Sequence, residues 1–421
     1  MESDSRATRR TIVAGTVGSV LEWYDFAIYG YLAPIIGALF FPAGDPLASL
    51  LAAFGVFAIG FAARPIGGAL FGYIGDRYGR KPALLVSMLT MGSATVGIGL
   101  LPNHAQIGAA AAVLLVVMRV AEGLSVGGEY TGSIILVAEH APPGRRGFYA
   151  AWPQFGCTIG FLLGSGVGAL ISGVLGHERM LAWGWRIPFL LGGLIAVWGI
   201  AFRRHIAESP VVTAASEARD RPGLAAVLAH WRTIARLVAL LCVESVAFYL
   251  MFVYAASYLT EHMHVSTARA LDINTLSLVV MLAMLLPVAI WSDRVGRKPL
   301  LYIGTVGMFA LAWPLWWLMQ QGTFAAILAG QVGFAVLLGL AAGAMPGVMS
   351  EMLPPHVRCT ATGIGYNVSL GLFGGTAPLV ATYLIARTAD DFMPAYYVMA
   401  MAAVSFVAAL GLPETAGKRL S

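Results

Sequence analysis

Twelve apolar stretches follow one another along the chain, at about 11–39, 48–74, 82–101, 107–138, 148–175, 184–203, 234–260, 270–291, 299–319, 323–350, 359–386 and 395–412. A helix needs ~20 apolar residues to cross a bilayer, within a range of about 17–25, and each of these stretches is long enough. Lipid offers no partner for a free backbone N–H or C=O, so a spanning segment of this kind must be a helix that satisfies its own hydrogen bonds. Composition agrees: charged residues are 11% of the chain, against about 25% in a soluble domain. The 50 glycines suit helices that pack backbone to backbone in lipid. The sequence therefore predicts an all-α membrane protein of twelve transmembrane helices. Its first stretch is too long for a signal-peptide core, contains Glu22 and Asp25, and has no small-residue cleavage site after it, so it is expected to stay as the first helix.

Orientation follows from the basic residues in the loops. Twenty of the 26 Lys and Arg fall on one side, among them Arg77, Arg80, Arg146, Arg294, Arg297 and Arg358; four, Arg179, Arg186, Arg269 and Arg387, fall on the other. This places both termini in the cytoplasm and assigns the formal net charge of +5 to membrane topology rather than to nucleic-acid binding. Arg64 and Arg119 are left inside apolar segments.

The polar stretch from about 205 to 233 separates six apolar segments from six, so a first half over 1–204, a cytoplasmic linker and a second half over 234–421 are expected. The halves repeat each other. Asp76-Arg77-Tyr78-Gly79-Arg80-Lys81-Pro82 returns as Asp293-Arg294-Val295-Gly296-Arg297-Lys298-Pro299 after 217 residues, and Glu139, Pro142, Pro143 and Arg146 return as Glu351, Pro354, Pro355 and Arg358 after 212. Two matches at nearly one offset point to a duplicated six-helix unit.

The run Gly72-Tyr73-Ile74-Gly75-Asp76-Arg77-Tyr78-Gly79-Arg80-Lys81 resembles the loop 2–3 signature of the major facilitator superfamily, and Arg119-Val120-Ala121-Glu122-Gly123 resembles its fourth-helix pattern, with Glu122 where Gln is commoner. Glu22-Trp23-Tyr24-Asp25-Phe26, Arg64-Pro65-Ile66-Gly67-Gly68, Gly127-Gly128-Glu129-Tyr130, Trp183-Gly184-Trp185-Arg186-Ile187-Pro188 and Phe373-Gly374-Gly375-Thr376-Ala377-Pro378 are similar to runs of its metabolite:proton symporter branch. The resemblance implies two pseudo-symmetric six-helix halves working by alternating access, and a small substrate carried together with protons. It also implies that the paired loops, through Asp76, Arg77, Arg80, Asp293, Arg294 and Arg297, latch the cytoplasmic side.

An ionisable side chain in a transmembrane helix costs ~3 kcal/mol or more, so each one is a candidate for function. Glu22 and Asp25 are three residues apart, on one helical face with Tyr29 a turn beyond. Two carboxylates in a dry site do not both ionise, so they are candidates for proton coupling, as are Glu122 and Glu129. Arg119 offers a permanently charged fork for a carboxylate. Substrate candidates are Arg119, Arg64, Tyr29, Gln154, Glu244 and Asn367. With all four first-half acids ionised, Arg64 and Arg119 leave two excess negative charges. This favours protonation before or with the binding of a small organic anion; the alternatives are a zwitterion such as proline or betaine, and export on the same fold.

A membrane enzyme is not expected: no GxSxG, HExxH or GxxxxGK[ST] occurs, so neither a nucleophile, a zinc site nor an ATP site is indicated. Cys157, Cys242 and Cys359 are scattered without metal or redox spacing, and no cofactor or metal is called for. The expected partners are the substrate, protons and lipid, with the chain acting as a monomer in a bacterial inner membrane.

Overall fold

A computed structural model describes residues 2–78, 80–142, 144–204 and 224–417, leaving out the side chains of 2–11, 14, 69, 72, 73, 75–78, 80–84, 198–204, 224, 225 and 356. The greater part of the expected linker, 205–223, lies outside the described residues, as do the side chains of Asp76, Arg77 and Arg80. All regular structure among the described residues is helical.

The helices form twelve spans. Span 1 is Glu2–Tyr31 continued by Ala33–Phe40, and span 2 is Pro46–Ala62 continued by Arg64–Tyr78. Span 3 is Arg80–Leu100, span 4 is Ala110–Ser125 with Glu129–Glu139, span 5 is Arg146–Arg179, and span 6 is Arg186–Arg204. After a short helix, Leu224–Leu228, span 7 runs from Trp231–Tyr249 to Ala255–Glu261. Spans 8, 9 and 10 are Thr267–Val295, Arg297–Gln320 and Phe324–Glu351. Span 11 runs from Pro355–Ser369 to Ala377–Thr388, and span 12 is Met393–Leu410. Nine helices among the described residues are by length and composition sufficient to cross a membrane, and spans 3 and 6 contribute the shorter apolar helices Leu85–Leu100 and Arg186–Val197.

Several apolar stretches that read as unbroken are interrupted. Pro34 and Pro65 have no N–H to continue the ladder, and spans 1 and 2 break just before them, at Leu32 and Ala63. Span 4 breaks at Val126–Gly128, where two glycines remove the side chains that favour helix. Spans 5, 7 and 11 each contain or end on a π turn, over Met180–Gly184, Leu250–Tyr254 and Leu370–Gly374. In the first and last of these the backbone N–H of Trp185 and Gly375 reaches five residues back, to the carbonyls of Met180 and Leu370.

The interrupted parts of spans 2 and 4 lie against each other. A Cβ added at Gly67 would stand 1.8 Å from the Leu124 carbonyl oxygen, and one at Gly127 would stand 2.1 Å from that of Arg64. Only glycine permits that approach, and it brings Arg64 and Arg119 into the same stretch of the first half.

The six-helix halves meet at both ends. At the end rich in Arg and Lys, span 5 of the first half touches spans 8 and 10 of the second through backbone N–H groups and an ion pair. Nearly 20 residues along span 5, or ~30 Å of helix, Ser165 is bonded to Asn274 (3.1 Å) and Thr275 (2.8 Å) of span 8. The second contact uses only neutral groups.

Candidate functional site

Glu22 and Asp25 share a helical face but not a partner. The Glu22 carboxylate is paired with the Arg64 guanidinium, both buried. Asp25 Oδ2 instead accepts from the Thr95 hydroxyl at 2.8 Å, and the same hydroxyl lies 2.9 Å from Glu122 Oε1. Glu122 pairs through its other oxygen with Arg119 one helical turn away, again fully buried. The expected cluster of four acids around two arginines is therefore resolved into two ion pairs and one carboxyl bridge. Glu129, expected in the same set, is half-buried in the first turn beyond the break of span 4. The three-residue spacing of Glu22 and Asp25 could not reveal this division, because the selecting groups, Arg64 and Thr95, come from other helices.

Phe26 separates the two guanidinium groups: its ring centre is 5.1 Å from that of Arg64 and 4.8 Å from that of Arg119. Arg64 also packs on Trp23 and Phe61, and Arg119 on Tyr29 and Phe57, at 4.3 to 5.7 Å. Aromatic faces compensate a desolvated cation in part, yet they accept no N–H in plane. Accordingly Nε and Nη1 of Arg64, and Nε and Nη2 of Arg119, have no hydrogen-bond acceptor among the described residues. Each arginine thus keeps donors to spare while one edge is held by a glutamate.

Arg64 lies at the seam between the halves beside Gly127, Tyr130, Thr131, Tyr366 and Asn367, packed closely enough to leave no room for a water molecule. The Tyr130 and Tyr366 rings, one from each half, lie 4.7 Å apart. Asn367 spends its amide protons on the carbonyls of Gly127 (2.8 Å) and Gly363 (2.9 Å), tying span 11 to the break in span 4. Gln154 accepts the hydroxyl of Tyr130 and orients that ring. Tyr29, expected at the substrate site, has its hydroxyl on the Ala53 carbonyl at 3.1 Å and its ring beneath Arg119, so its place here is support.

Glu244 is the acid that the second half brings toward this region. It interacts electrostatically with Tyr130 and with Cys157, and Cys157 is in turn within the fields of Glu22 and Arg64. Glu244 Oε2 is buried without a hydrogen-bond partner among the described residues, as is the Tyr249 hydroxyl.

The paired loops lie at the Arg/Lys-rich end. Asp293 accepts from the backbone N–H of Gly147 (2.8 Å) and of Phe148 (2.9 Å), in the first turn of span 5, and from Arg297 (2.8 Å). The first N–H groups of a helix lack intrahelical partners and carry positive potential, which a carboxylate satisfies. Arg297 also forks onto Glu351 at 3.0 and 3.2 Å. A Cβ on Gly147 would stand 2.3 Å from Arg297 Nη1, so a larger residue there would have to displace the guanidinium from this contact. Arg294, expected to take part, is exposed instead.

Sequence reasoning did not assign four residues that complete this end. Glu351 of the second half lies 3.8 Å from Arg146 of the first, and Glu139 of the first lies 3.2 Å from Arg358 of the second. These are the residues that the 212-residue repeat relates to one another, so the signal was present in the sequence. What it lacked was the fact that each acid pairs with the opposite half's arginine.

The chain belongs to the Major Facilitator Superfamily, whose family model matches residues 15–378 and 255–420. The chain is 36% identical over 429 aligned residues to a proline/betaine transporter of Salmonella typhimurium, covering 99% of this chain and 86% of that protein. It is 37% identical to the glycine betaine/proline/ectoine/pipecolic acid transporter OusA of Dickeya dadantii, covering 99% and 85%. Among solved structures, the proton:xylose symporter XylE superposes with a TM-score of 0.76 at 21% identity, over 99% of this chain and 98% of that one, a likeness of fold. The protein is an integral membrane transporter of twelve spans, with a small molecule as cargo. The expectation of an organic anion is not what the relatives favour; their names point to the zwitterionic alternative.

Proposed function

We propose that the protein is a proton-coupled symporter of a zwitterionic osmolyte or amino acid of the proline and betaine kind. The observation that carries this reading is the pair of spare charges on either side of the tyrosines: the unpartnered edge of Arg64 in the first half and the unpartnered oxygen of Glu244 in the second. A dipolar ion places its carboxylate on the former and its ammonium toward the latter, with tyrosine faces receiving a secondary or quaternary ammonium. An organic anion also finds Arg64 but meets Glu244 as a like charge. Glu22 and Glu122 balance Arg64 and Arg119 in the two buried ion pairs of the first half.

The Arg/Lys-rich end is the cytoplasmic one in this reading, by the positive-inside rule, and its ion pairs close the inward path. Alternating access then consists of breaking that set while the neutral contact at Ser165, Asn274 and Thr275 holds, and the reverse. Asp25 and Glu122 are the proton carriers.

In proteoliposomes with an inwardly directed proton gradient, labelled proline or glycine betaine should accumulate, and excess citrate or α-ketoglutarate should not compete. Accumulation only under an outward gradient would make the protein an antiporter, and competition by carboxylates alone would restore the organic-anion alternative. Glu244→Gln should weaken apparent affinity for the zwitterion by roughly tenfold or more, the loss of one charge-assisted contact.

A further inference from the structure

Thr95 links two acids of the first half, and its hydrogen bonds do not balance as drawn by ionised groups. Its Oγ1 lies 2.8 Å from Asp25 Oδ2, 2.9 Å from Glu122 Oε1 and 3.0 Å from the carbonyl oxygen of Met91. A hydroxyl has one proton to give. If both carboxyls were ionised, that proton would satisfy one acceptor and leave the Thr95 oxygen facing at least one bare carboxylate oxygen inside 3 Å, in a site where Thr95, Asp25 and Glu122 are all buried. The arrangement becomes favourable when one carboxyl carries a proton of its own: the acid donates to Thr95, and Thr95 donates to the other acid.

We propose that Thr95 is a proton-positioning residue that holds one shared proton on the Asp25–Glu122 pair and relays it between them. This rests on the symport reading above. In one arrangement Asp25 Oδ2–H donates to Thr95 Oγ1, and Thr95 Oγ1–H donates to Glu122 Oε1. In transfer the Asp25 O–H bond breaks as a new bond forms to Thr95 Oγ1, and the former Thr95 O–H proton bonds to Glu122 Oε1. One proton has then moved from Asp25 to Glu122 with no net change at the threonine.

The consequence falls on Arg119. Glu122 holds Arg119 through Oε2, and protonation at Oε1 removes the negative charge from that partner. Arg119, whose Nε and Nη2 are already without acceptors, is released from its only ion pair among the described residues, while Asp25 acquires the charge. The groups facing the bridge are few. Span 1 supplies Asp25 and the rings of Tyr24 and Tyr29; the Tyr24 hydroxyl is given to the Pro188 carbonyl at 3.1 Å. Span 4 supplies Arg119 and Glu122, and span 3 supplies Thr95. Span 6 approaches with Gly192, where an added Cβ would stand 2.7 Å from Asp25 Oδ1, so this side offers backbone and no titratable group.

The test compares Thr95→Val, which keeps shape and loses the hydroxyl, with Thr95→Ser, which keeps the hydroxyl. Infrared spectra of the purified protein at neutral pH should contain a carboxylic-acid C=O band that Asp25→Asn or Glu122→Gln removes. The band should shift in Thr95→Val and return to its place in Thr95→Ser. In proteoliposomes Thr95→Val should accumulate substrate tenfold less than the parent under a proton gradient, with Thr95→Ser restoring accumulation. The relay is overturned if the parent shows no such band, if the band ignores Thr95→Val, or if Thr95→Val concentrates substrate as the parent does. Because the band is read without transport, a parent that shows it and yet accumulates nothing under a proton gradient would count against the symport reading, leaving the shared proton in place.

Discussion

The two halves are most alike at the Arg/Lys-rich end and least alike at the centre. At that end the repeat keeps its charged residues and prolines, and Glu139 with Arg358 mirrors Glu351 with Arg146. At the centre the same offset of 212 residues carries Arg119 onto Gln331, and the offset of 217 carries Arg64 onto Met281. Gln331 is as buried as Arg119, but its amide N–H groups go to the Met251 carbonyl (2.6 Å) and to Asn274 (2.9 Å), neutral acceptors, while its Oε1 has no partner among the described residues. Duplication therefore preserved the ion-pair set that joins the halves at this end. The buried arginine–glutamate pairs stand in the first half, which on the proposed reading concentrates proton chemistry there and leaves the second half to shape the site with tyrosines and Glu244.

The sharpest way to break this contrast is to make the first half resemble the second. Arg119→Gln leaves Glu122 as a buried acid without its cation, and losing one partner of a buried pair costs about 3–5 kcal/mol unless the survivor takes a proton. Proton-driven accumulation should fall by at least ~100-fold, whereas Gln331→Met, which disturbs only neutral bonds, should retain most of it. Equal losses in the two variants, measured in the same vesicles, would show that the centre is not divided in this way.

A smaller effect is expected from the rim. Asp293→Asn keeps an oxygen for the span 5 N–H groups but loses the charge that favours the helix terminus and Arg297. Charge-assisted bonds contribute about 1.5–3 kcal/mol each, so the population closed at this end should drop by roughly tenfold or more. Spin-label distances between spans 5 and 8 would report the change. An unaltered distance distribution would deny Asp293 a part in closure.

Much of this was legible before any coordinates. The twelve spans follow from apolar length, and the buried charges Glu22, Asp25, Arg64 and Arg119 stand out because lipid forbids them. Pairing was not legible, because it depends on rotation and tilt of helices far apart in sequence. Asp25 turned to Thr95, a residue whose type occurs in many membrane helices and raises no alarm in an apolar stretch. Tyr29 looked like a ligand by its spacing from Asp25, yet its hydroxyl found the Ala53 carbonyl. The breaks in spans 1 and 2 were announced by Pro34 and Pro65, whereas the π turns carry no comparable local signal.

The rim pairs can then be ranked against each other. Glu351 is buried and touches Arg146, Arg297 and Thr415, while the side chain of Glu139 is 41% exposed in its pair with Arg358. Exposed pairs couple by ~0–1 kcal/mol. A double-mutant cycle read by thermal unfolding in detergent should give Glu139–Arg358 a coupling near the bottom of that range, and Arg146–Glu351 a larger one despite its longer distance. The reverse order would mean that burial does not set the strength of these contacts.

The smallest effect concerns Glu414, beyond span 12, which fastens the start of span 9. Its Oε1 accepts from the backbone N–H of Arg297 (2.9 Å), and its Oε2 from that of Lys298 (3.1 Å). Burial alone would raise its pKa, but the backbone donors of Arg297, Ala416, Lys298 and Thr415 outweigh burial and hold the carboxyl below its ordinary value of 4.5. A carboxyl with a depressed folded-state pKa contributes stability that is fully present above its unfolded value and is lost as pH falls through the folded one. Glu414→Gln should therefore lower the melting temperature at neutral pH, on the order of 1 °C for so exposed a group. The difference between variant and parent should shrink as pH drops below 4.5. Neighbouring Thr415 donates to Glu351 at 2.6 Å, so the same segment holds an acid of the inter-half set. If the stability difference persists unchanged at low pH, the contact works by shape and not by charge, and Glu414 would have no electrostatic part in keeping the rim of the second half in register with the first.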